Sequence, residues 1–301
     1  AVNNTGTVAA TGITTRGGRV ILSADGGTVQ NSGTISAKNA DGSGGIVKMN
    51  SGATGITTNS GTIDAAASDI TKPGGNVEIA GGTITLTSTS QIDASGASGG
   101  TVIVGGVPPT SPVATSAETG AAAIASTAAT PAAGAGASTS TQPITPAQRT
   151  AIEAGSRILA TATAPVGNGG RIVVWSKQQT FAGGVYEANA GAAGGDGGLI
   201  ETSGKLGLTV VPGTVVSASA PAGKAGTWLL DPVGIQVTGN PTNLPGPTHT
   251  QNANVNNIFA GDVIANLAAG TNVTIQTTTG FPSANRDIVV DAALPLLNTN
   301  P

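Results

Sequence analysis

The sequence predicts an all-β chain wound as a right-handed parallel β-helix, and three observations carry that prediction. A Gly-Gly pair recurs, opening at Gly17, Gly44, Gly74, Gly99, Gly169 and Gly197, with spacings of 27, 30, 25, 70 and 28 residues; Ala225-Gly226 continues the series. The residues after each pair alternate at period two. A second alternating stretch, Ile-x-Ala or a near equivalent, closes most copies. A fixed period of 20–50 residues marks a solenoid, and about 27 residues per rung leaves room for three short strands and their corners.

The first strand of each copy fixes which face points inward. The second residue after the pair reads Val20, Val47, Val77, Val102, Ile172, Ile200 and Trp228, and the fourth reads Leu22, Met49, Ile79, Val104, Val174, Thr202 and Leu230. Between them stand Ile21, Lys48, Glu78, Ile103, Val173, Glu201 and Leu229, a set that tolerates charge. Strict alternation of this kind is a strand with one buried face.

The closing strand reads Ile35-Ser36-Ala37, Ile63-Asp64-Ala65, Ile92-Asp93-Ala94, Tyr186-Glu187-Ala188 and Val216-Ser217-Ala218. Its first and third residues point inward and its polar middle residue outward. Asn-Ser-Gly-Thr-Ile occurs twice, from Asn31 and from Asn59, and reads as a sharp corner where Asn and Gly supply positive φ. No copy carries an amphipathic helical pattern, so the crossovers are strands and loops, and parallel crossovers are right-handed. Some eight rungs at about 4.8 Å each give a rod on the order of 40 Å long.

Composition agrees with this architecture. Charged residues make up 9% of the 301, aromatics 2%, and there are 47 glycines, against roughly 25% charged in an average domain. In a stack of like on like, a charged column would set like charges about 5 Å apart, which is destabilising. The net charge of −3, with 12 basic residues scattered singly, lacks the clustered footprint of nucleic-acid binding. Cysteine is absent, which excludes a disulfide framework and a thiolate metal site. No run approaches the roughly 18 apolar residues of a membrane span. The opening Ala1-Val2-Asn3 has no charged and apolar leader behind it, and reads as an internal or mature piece of a longer precursor.

The organisation expected is rungs over 1–106, an Ala/Pro/Thr-rich insertion over 107–166, rungs again over 167–238, and a terminal region over 239–301. Within the insertion, Thr145-Pro146-Ala147-Gln148 reads as a helix start, with Thr as N-cap and Pro at the first helical position. It predicts a short helix over about 146–160. In the terminal region, 239–257 reads as loop, and Ile258, Val263, Ile264 and Leu267 fall at helical spacing before Gly270. They predict a helix over about 258–269 that covers the end of the rod. Strands are expected over 272–276 and 287–292.

Three blocks carry a resemblance: GGRIVVWS at 169–176 with FAGGVYEANAGAAGGDGGLIETSGK at 181–205, GTWLLDPVGIQVTG at 226–239, and GDVIANLAAGTNVTIQTTTG at 261–280 with RDIVVDAAL at 286–294. In this order they resemble the filamentous-haemagglutinin type of two-partner secretion exoproteins, Trp-Leu-Leu-Asp-Pro at 228–232 being the most specific element. The resemblance covers about 17–106 and 168–301. It implies a right-handed β-helix exported through an outer-membrane pore to the surface of a Gram-negative cell, working in attachment, biofilm formation or contact-dependent competition. No match to the family's amino-terminal secretion domain is present, so the chain would be a downstream portion. No family binding residue carries over.

Candidate chemistry is sparse. Asp64 and Asp93 share a column in adjacent rungs, which sets their carboxylates about 5 Å apart, the separation of a retaining glycosidase. Ser36, Glu187 and Ser217 stand at neighbouring positions and no Arg, Lys or His accompanies the pair, so outward Asp residues solvating a corner is the favoured reading. Gly194-Gly195-Asp196-Gly197-Gly198 faintly resembles a calcium-binding repeat but is a single copy and reads as a turn. His249 is the sole histidine, so no histidine cluster or Ser-His-Asp set can be built. Thr83–Thr89 and Thr277–Thr279 lack the threonine face in every rung that ice binding needs. Trp175, Phe181 and Tyr186 fall in one rung, as a contact patch or, in the favoured reading, as packing against the insertion. No catalytic, cofactor-binding or metal residue is assigned and no cofactor is expected. The partners expected are a second copy by end-to-end or lateral association, the secretion pore during export, and a surface glycan or protein; nucleic acid is not among them. The function expected is a non-enzymatic adhesin or stalk, the alternative a β-helical polysaccharide lyase or hydrolase.

Overall fold

In a computed structural model the described residues are 1–13, 17–108, 145–239, 256–277 and 288–291. They form a parallel β-solenoid. Strands β1 (Val2–Asn4) and β2 (Thr7–Thr11) precede the first full turn, which is β3 (Arg19–Ser23), β4 (Thr28–Asn31) and β5 (Thr34–Lys38). The next two are β6 (Ile46–Asn50), β7 (Ile56–Asn59) and β8 (Thr62–Asp64), then β9 (Asn76–Ala80), β10 (Thr83–Leu86) and β11 (Gln91–Asp93). The fourth turn is β12 (Thr101–Val104), β13 (Arg149–Ile152) and β14 (Arg157–Leu159). The fifth and sixth are β15 (Arg171–Ser176), β16 (Gln179–Ala182) and β17 (Val185–Glu187), then β18 (Leu199–Gly204), β19 (Gly207–Val210) and β20 (Val215–Ser217).

Each turn gives one strand to each of three sheets, and every strand pair is parallel. The expected columns are the observed ones. Val20 stands under Val47 and Val47 under Val77 in the first sheet. Ile35, Ile63 and Ile92 do the same in the third. These side chains belong to one continuous buried core running the length of the stack. The seven strands of the third sheet give a rod of about 34 Å, one rung less than the composition of repeats suggested.

The Gly-Gly pairs are corners of close approach. A Cβ on the second glycine of a pair would overlap the carbonyl oxygen of its counterpart one turn below: Gly75 on Gly45, Gly100 on Gly75, Gly170 on Gly100, Gly198 on Gly170. The same N–H closes the corner by donating to the column alanine, Gly75 to Ala65 at 2.8 Å and Gly170 to Ala160 at 2.7 Å. The Asn-Ser-Gly corner works differently from the expectation. Gly33 and Gly61 are not in the positive-φ region; a Cβ there would strike the backbone of Gly6 and Gly33 respectively. The asparagines are buried and bond to one another: Asn4 donates to Asn31 at 2.8 Å, Asn31 to Asn59 at 2.7 Å, and Asn59 to Ser90 at 2.6 Å.

The helix expected over 146–160 is absent; β13 and β14 occupy that stretch. Thr150 stacks on Ile84, and Ile158 on Ile92, so two alternating strands complete the fourth turn. The Thr-Pro-x-Gln cap signal is local, and burial of Ile152, Ile158 and Ala160 in the shared core overrides it. The insertion expected over 107–166 is therefore shorter than its composition suggests: 149–159 belong to the fourth turn, and the excursion is the segment between β12 and β13. Residues 109–144 lie outside the described part.

The end of the rod departs from simple stacking. After β21 (Thr227–Leu230), β22 (Ile235–Thr238) does not stack on β19; β23 (Asn257–Phe259) lies between them. Helix α1 (Ala260–Ala268) follows, then β24 (Asn272–Ile275) on β21 and β25 (Ile288–Asp291) on β22. The helix falls where expected, but its buried face is Ala260, Asp262, Val263 and Asn266, whereas Leu267 is exposed and Ile258 belongs to β23. Of the loop expected over 239–257, residues 240–255 lie outside the described part.

Candidate functional surfaces

The Asp64 and Asp93 columns meet as expected, in register on β8 and β11. Each carboxylate is engaged in its own corner. Asp64 Oδ1 accepts the Ala66 N–H at 3.0 Å, and Asp93 Oδ1 accepts the Ser95 N–H at 2.8 Å. A basic group does accompany the pair. Lys38, one turn below and two residues along from Ser36, bridges Asp64 and the carbonyl of Ala66, the latter at 2.7 Å. The long lysine stem spans one rung, which residue columns read at a single position do not reveal. Leu159 follows Asp93 in the column, then Glu187, which pairs with Arg157 at 3.0 Å. The column is a line of corner caps and ion pairs.

The three aromatics of the fifth turn are not brought together. Tyr186 lies inside the core, fully buried, and its hydroxyl has no hydrogen-bond partner; burial pushes the phenol well above its ordinary pKa. Phe181 points outward beneath Arg149, whose guanidinium stands 4.9 Å from the ring centroid. Trp175 faces outward from the first sheet and forms a second cluster with Val173, joined by Ile103, Val107 and Leu199. Val107 belongs to the root of the excursion. Gly106 sits against both Pro146, where the chain returns, and the Trp175 ring. The expected packing against the insertion over 107–166 is met for Trp175 by Val107, and 109–144 lie outside the described part.

The outward column of the first sheet changes character along the rod. Ile21 is 54% exposed, and Lys48 pairs with Glu78 at 2.8 Å. From the fifth turn Val173, Glu201 and Leu229 are buried although they point away from the core. Burial also pulls the Arg171 guanidinium down, against the opposing pull of the nearby Glu201 carboxylate. Nothing in the alternating pattern signals this covered strip.

Asp196 is a turn residue, as read: its N–H bonds Asn168 Oδ1 at 2.8 Å and its own Oδ1 accepts the Lys224 N–H at 2.9 Å. A shallow groove of about 440 Å³ runs beside it, lined by Thr71, Pro73, Ala97, Ser98, Val166, Gly167, Asn168 and Gly195. It exists because the third corner is short, only Ser95–Ser98 separating Ala94 from Gly99, between longer corners above and below. Its lining holds no ionisable group. Among the described residues no set of three His, Cys, Asp or Glu could hold a metal, and no helix is long and apolar enough to cross a membrane. His249, Thr278 and Thr279 lie outside the described residues. Of the threonines, Thr7, Thr34 and Thr62 stack on the third sheet, but Gln91 and Arg157 continue that column.

No protein-family profile matches the chain, and no curated protein matches it. The solenoid fold is compatible with an adhesin or stalk.

Proposed function

We propose that the chain is a non-enzymatic surface or extracellular stalk of the filamentous-haemagglutinin type, acting in attachment or surface architecture on a Gram-negative cell. The observation that supports this reading most is how the excursion is built in. β12 pairs with both β9 and β15, and β13 with both β10 and β16, so the ladder is unbroken at the very turn from which the chain departs. A rod that keeps its core on both sides of a long Ala/Pro/Thr-rich insertion suits presentation to a surface glycan or protein. Export through an outer-membrane pore belongs to the same reading and rests on the sequence resemblance alone. A glycan-cleaving role draws support only from the stacked Asp64 and Asp93, and Lys38 and the corner amides already engage those carboxylates.

The test is removal of 109–144 with a short Gly-Ser joint, which retains β13 and β14. Beads coated with the full chain should bind cells or glycan surfaces, and the deletion should lose that binding while keeping its β-sheet circular dichroism. Undiminished attachment, or release of new reducing or unsaturated ends from polysaccharides by the purified chain, would overturn the reading.

A further inference from the structure

The second sheet breaks the stacking order at its upper end. In the turns below, the strand that follows a first-sheet strand stacks directly on its counterpart one turn down: β16 on β13, and β19 on β16. β22 follows β21 in the chain, yet it rests on β23, a later strand that lies between it and β19. The corner does not require this skip. From the inward Leu230 to the inward Ile235 is five residues, the same as from Ile79 to Ile84 in the third turn, which crosses the corner within one turn.

β23 fits its place loosely. It has three residues, and one of them, Asn257, pairs with β19, at Thr209. Asn257 is buried, and its side-chain oxygen accepts no hydrogen bond among the described residues. Read through β23, Gln236 lies over Thr209, which sets Ile235 over Leu208 and Val237 over Val210. Those four apolar side chains all belong to the core. The hold on β23 comes from the helix after it, which caps the third sheet where that sheet stops at β20. The Val216 N–H donates to Asn266 Oδ1 at 2.7 Å, the Gly213 N–H to Asp262 Oδ1 at 3.1 Å, and the Ala218 N–H to Thr271 Oγ1 at 2.9 Å.

We propose that β23 and α1 form a removable wedge, and that when it leaves, β22 drops one rung and pairs directly with β19. The drop replaces the single pairing of Thr209 with a run of 208–210 against 235–237, and closes two apolar columns. β25 travels with β22, and β24 stays on β21. No strand up to β21 has to move. The move costs the three bonds from β20 and the burial of Ile258, Ala260 and Val263, and it frees 239–271 as a segment outside the ladder. This inference rests on the fold and not on the surface-protein reading.

The experiment uses the 301-residue chain, which has no cysteine, carrying Thr209→Cys and Gln236→Cys. With the wedge seated these positions are two strand spacings apart, about 9.6 Å, beyond the reach of a disulfide; with it gone they are about 4.8 Å apart. Under mild oxidation the intramolecular bond should form with the β-sheet circular dichroism unchanged. Asn266→Ala, which loosens α1 from β20, should speed it by about tenfold or more. Thr209→Cys with Asn257→Cys reports the seated wedge and should form its bond without that change. If Asn266→Ala does not fold, Thr271→Val takes its place on the same readout. Absence of the 209–236 bond where the 209–257 pair closes would overturn the proposal, as would a 209–236 bond formed no faster once α1 is loosened.

Discussion

Asn31 and Asn59, 28 residues apart, stack one above the other inside the rod, the side-chain amide of Asn31 donating to the side-chain oxygen of Asn59 at 2.7 Å. Both are buried, and the line begins at Asn4 and ends on Ser90. On β10 and β13 the same column holds Leu86 and Ile152, so a turn accepts either a polar ladder or an apolar one. What it cannot accept cheaply is a break inside the polar ladder, since only its upper end has Ser90 to close it. Asn31→Leu strands the Asn59 oxygen, leaves the Asn4 amide with only the Thr34 carbonyl to donate to, and should cost about 2–4 kcal/mol in chemical denaturation. Replacing Asn4, Asn31 and Asn59 together with Leu should cost less than the sum of the three single changes.

The corner glycines divide sharply. Gly100→Ala places a methyl group on the Gly75 carbonyl in the middle of the stack and should cost at least about 3 kcal/mol, or prevent folding. Gly6→Ala meets nothing within 4 Å and should change the melting temperature little. Thermal denaturation of the two variants side by side checks this.

Asp262 gives the cap a pH dependence of definite sign. Burial raises its carboxyl above the ordinary 3.8, against a smaller opposing effect of the Gly213 N–H. The native chain thus holds this proton more tightly than the unfolded one. Its contribution is full below 3.8 and is lost as pH rises through the raised value. Asp262→Asn keeps an oxygen for Gly213 and removes the titration. The melting temperature of the parent relative to this variant should therefore fall between about pH 3 and about pH 7. The exposed Asp41 and Asp69, held low by bonds from Ser43 and Thr71, act in the opposite sense in both proteins and cancel in the difference.

Much of the rod was legible because a stack repeats its constraints. Gly-Gly, the Val/Ile column after it and Ile-x-Ala each recur wherever the same corner or sheet recurs. The stretch 149–160 escaped because 44 residues separate it from β12, the Gly-Gly-led strand that opens its turn, and Leu159 stands where other turns carry a polar residue. A nearby cap signal pointed to helix, whereas the register to Ile84 and Ile92 lies 66 residues away in sequence. Asp262, Asn266 and Thr271 were invisible for another reason. Polar residues on a helix read as its wet face, and only the unfilled edge of β20 gives them buried partners. Lys38 was missed because it reaches from one column into the next turn.

A designed disulfide tests the stacking most directly. The chain has no cysteine of its own, and Asp93 and Leu159 are direct partners on β11 and β14 across the excursion. Neighbouring strands lie about 4.8 Å apart, within the span a disulfide bridges. Asp93→Cys with Leu159→Cys should form an intramolecular bond in the monomer under mild oxidation, seen by mass spectrometry of the proteolysed chain. Free thiols, or bonds only between molecules, would contradict the placement of 157–159 on the rod.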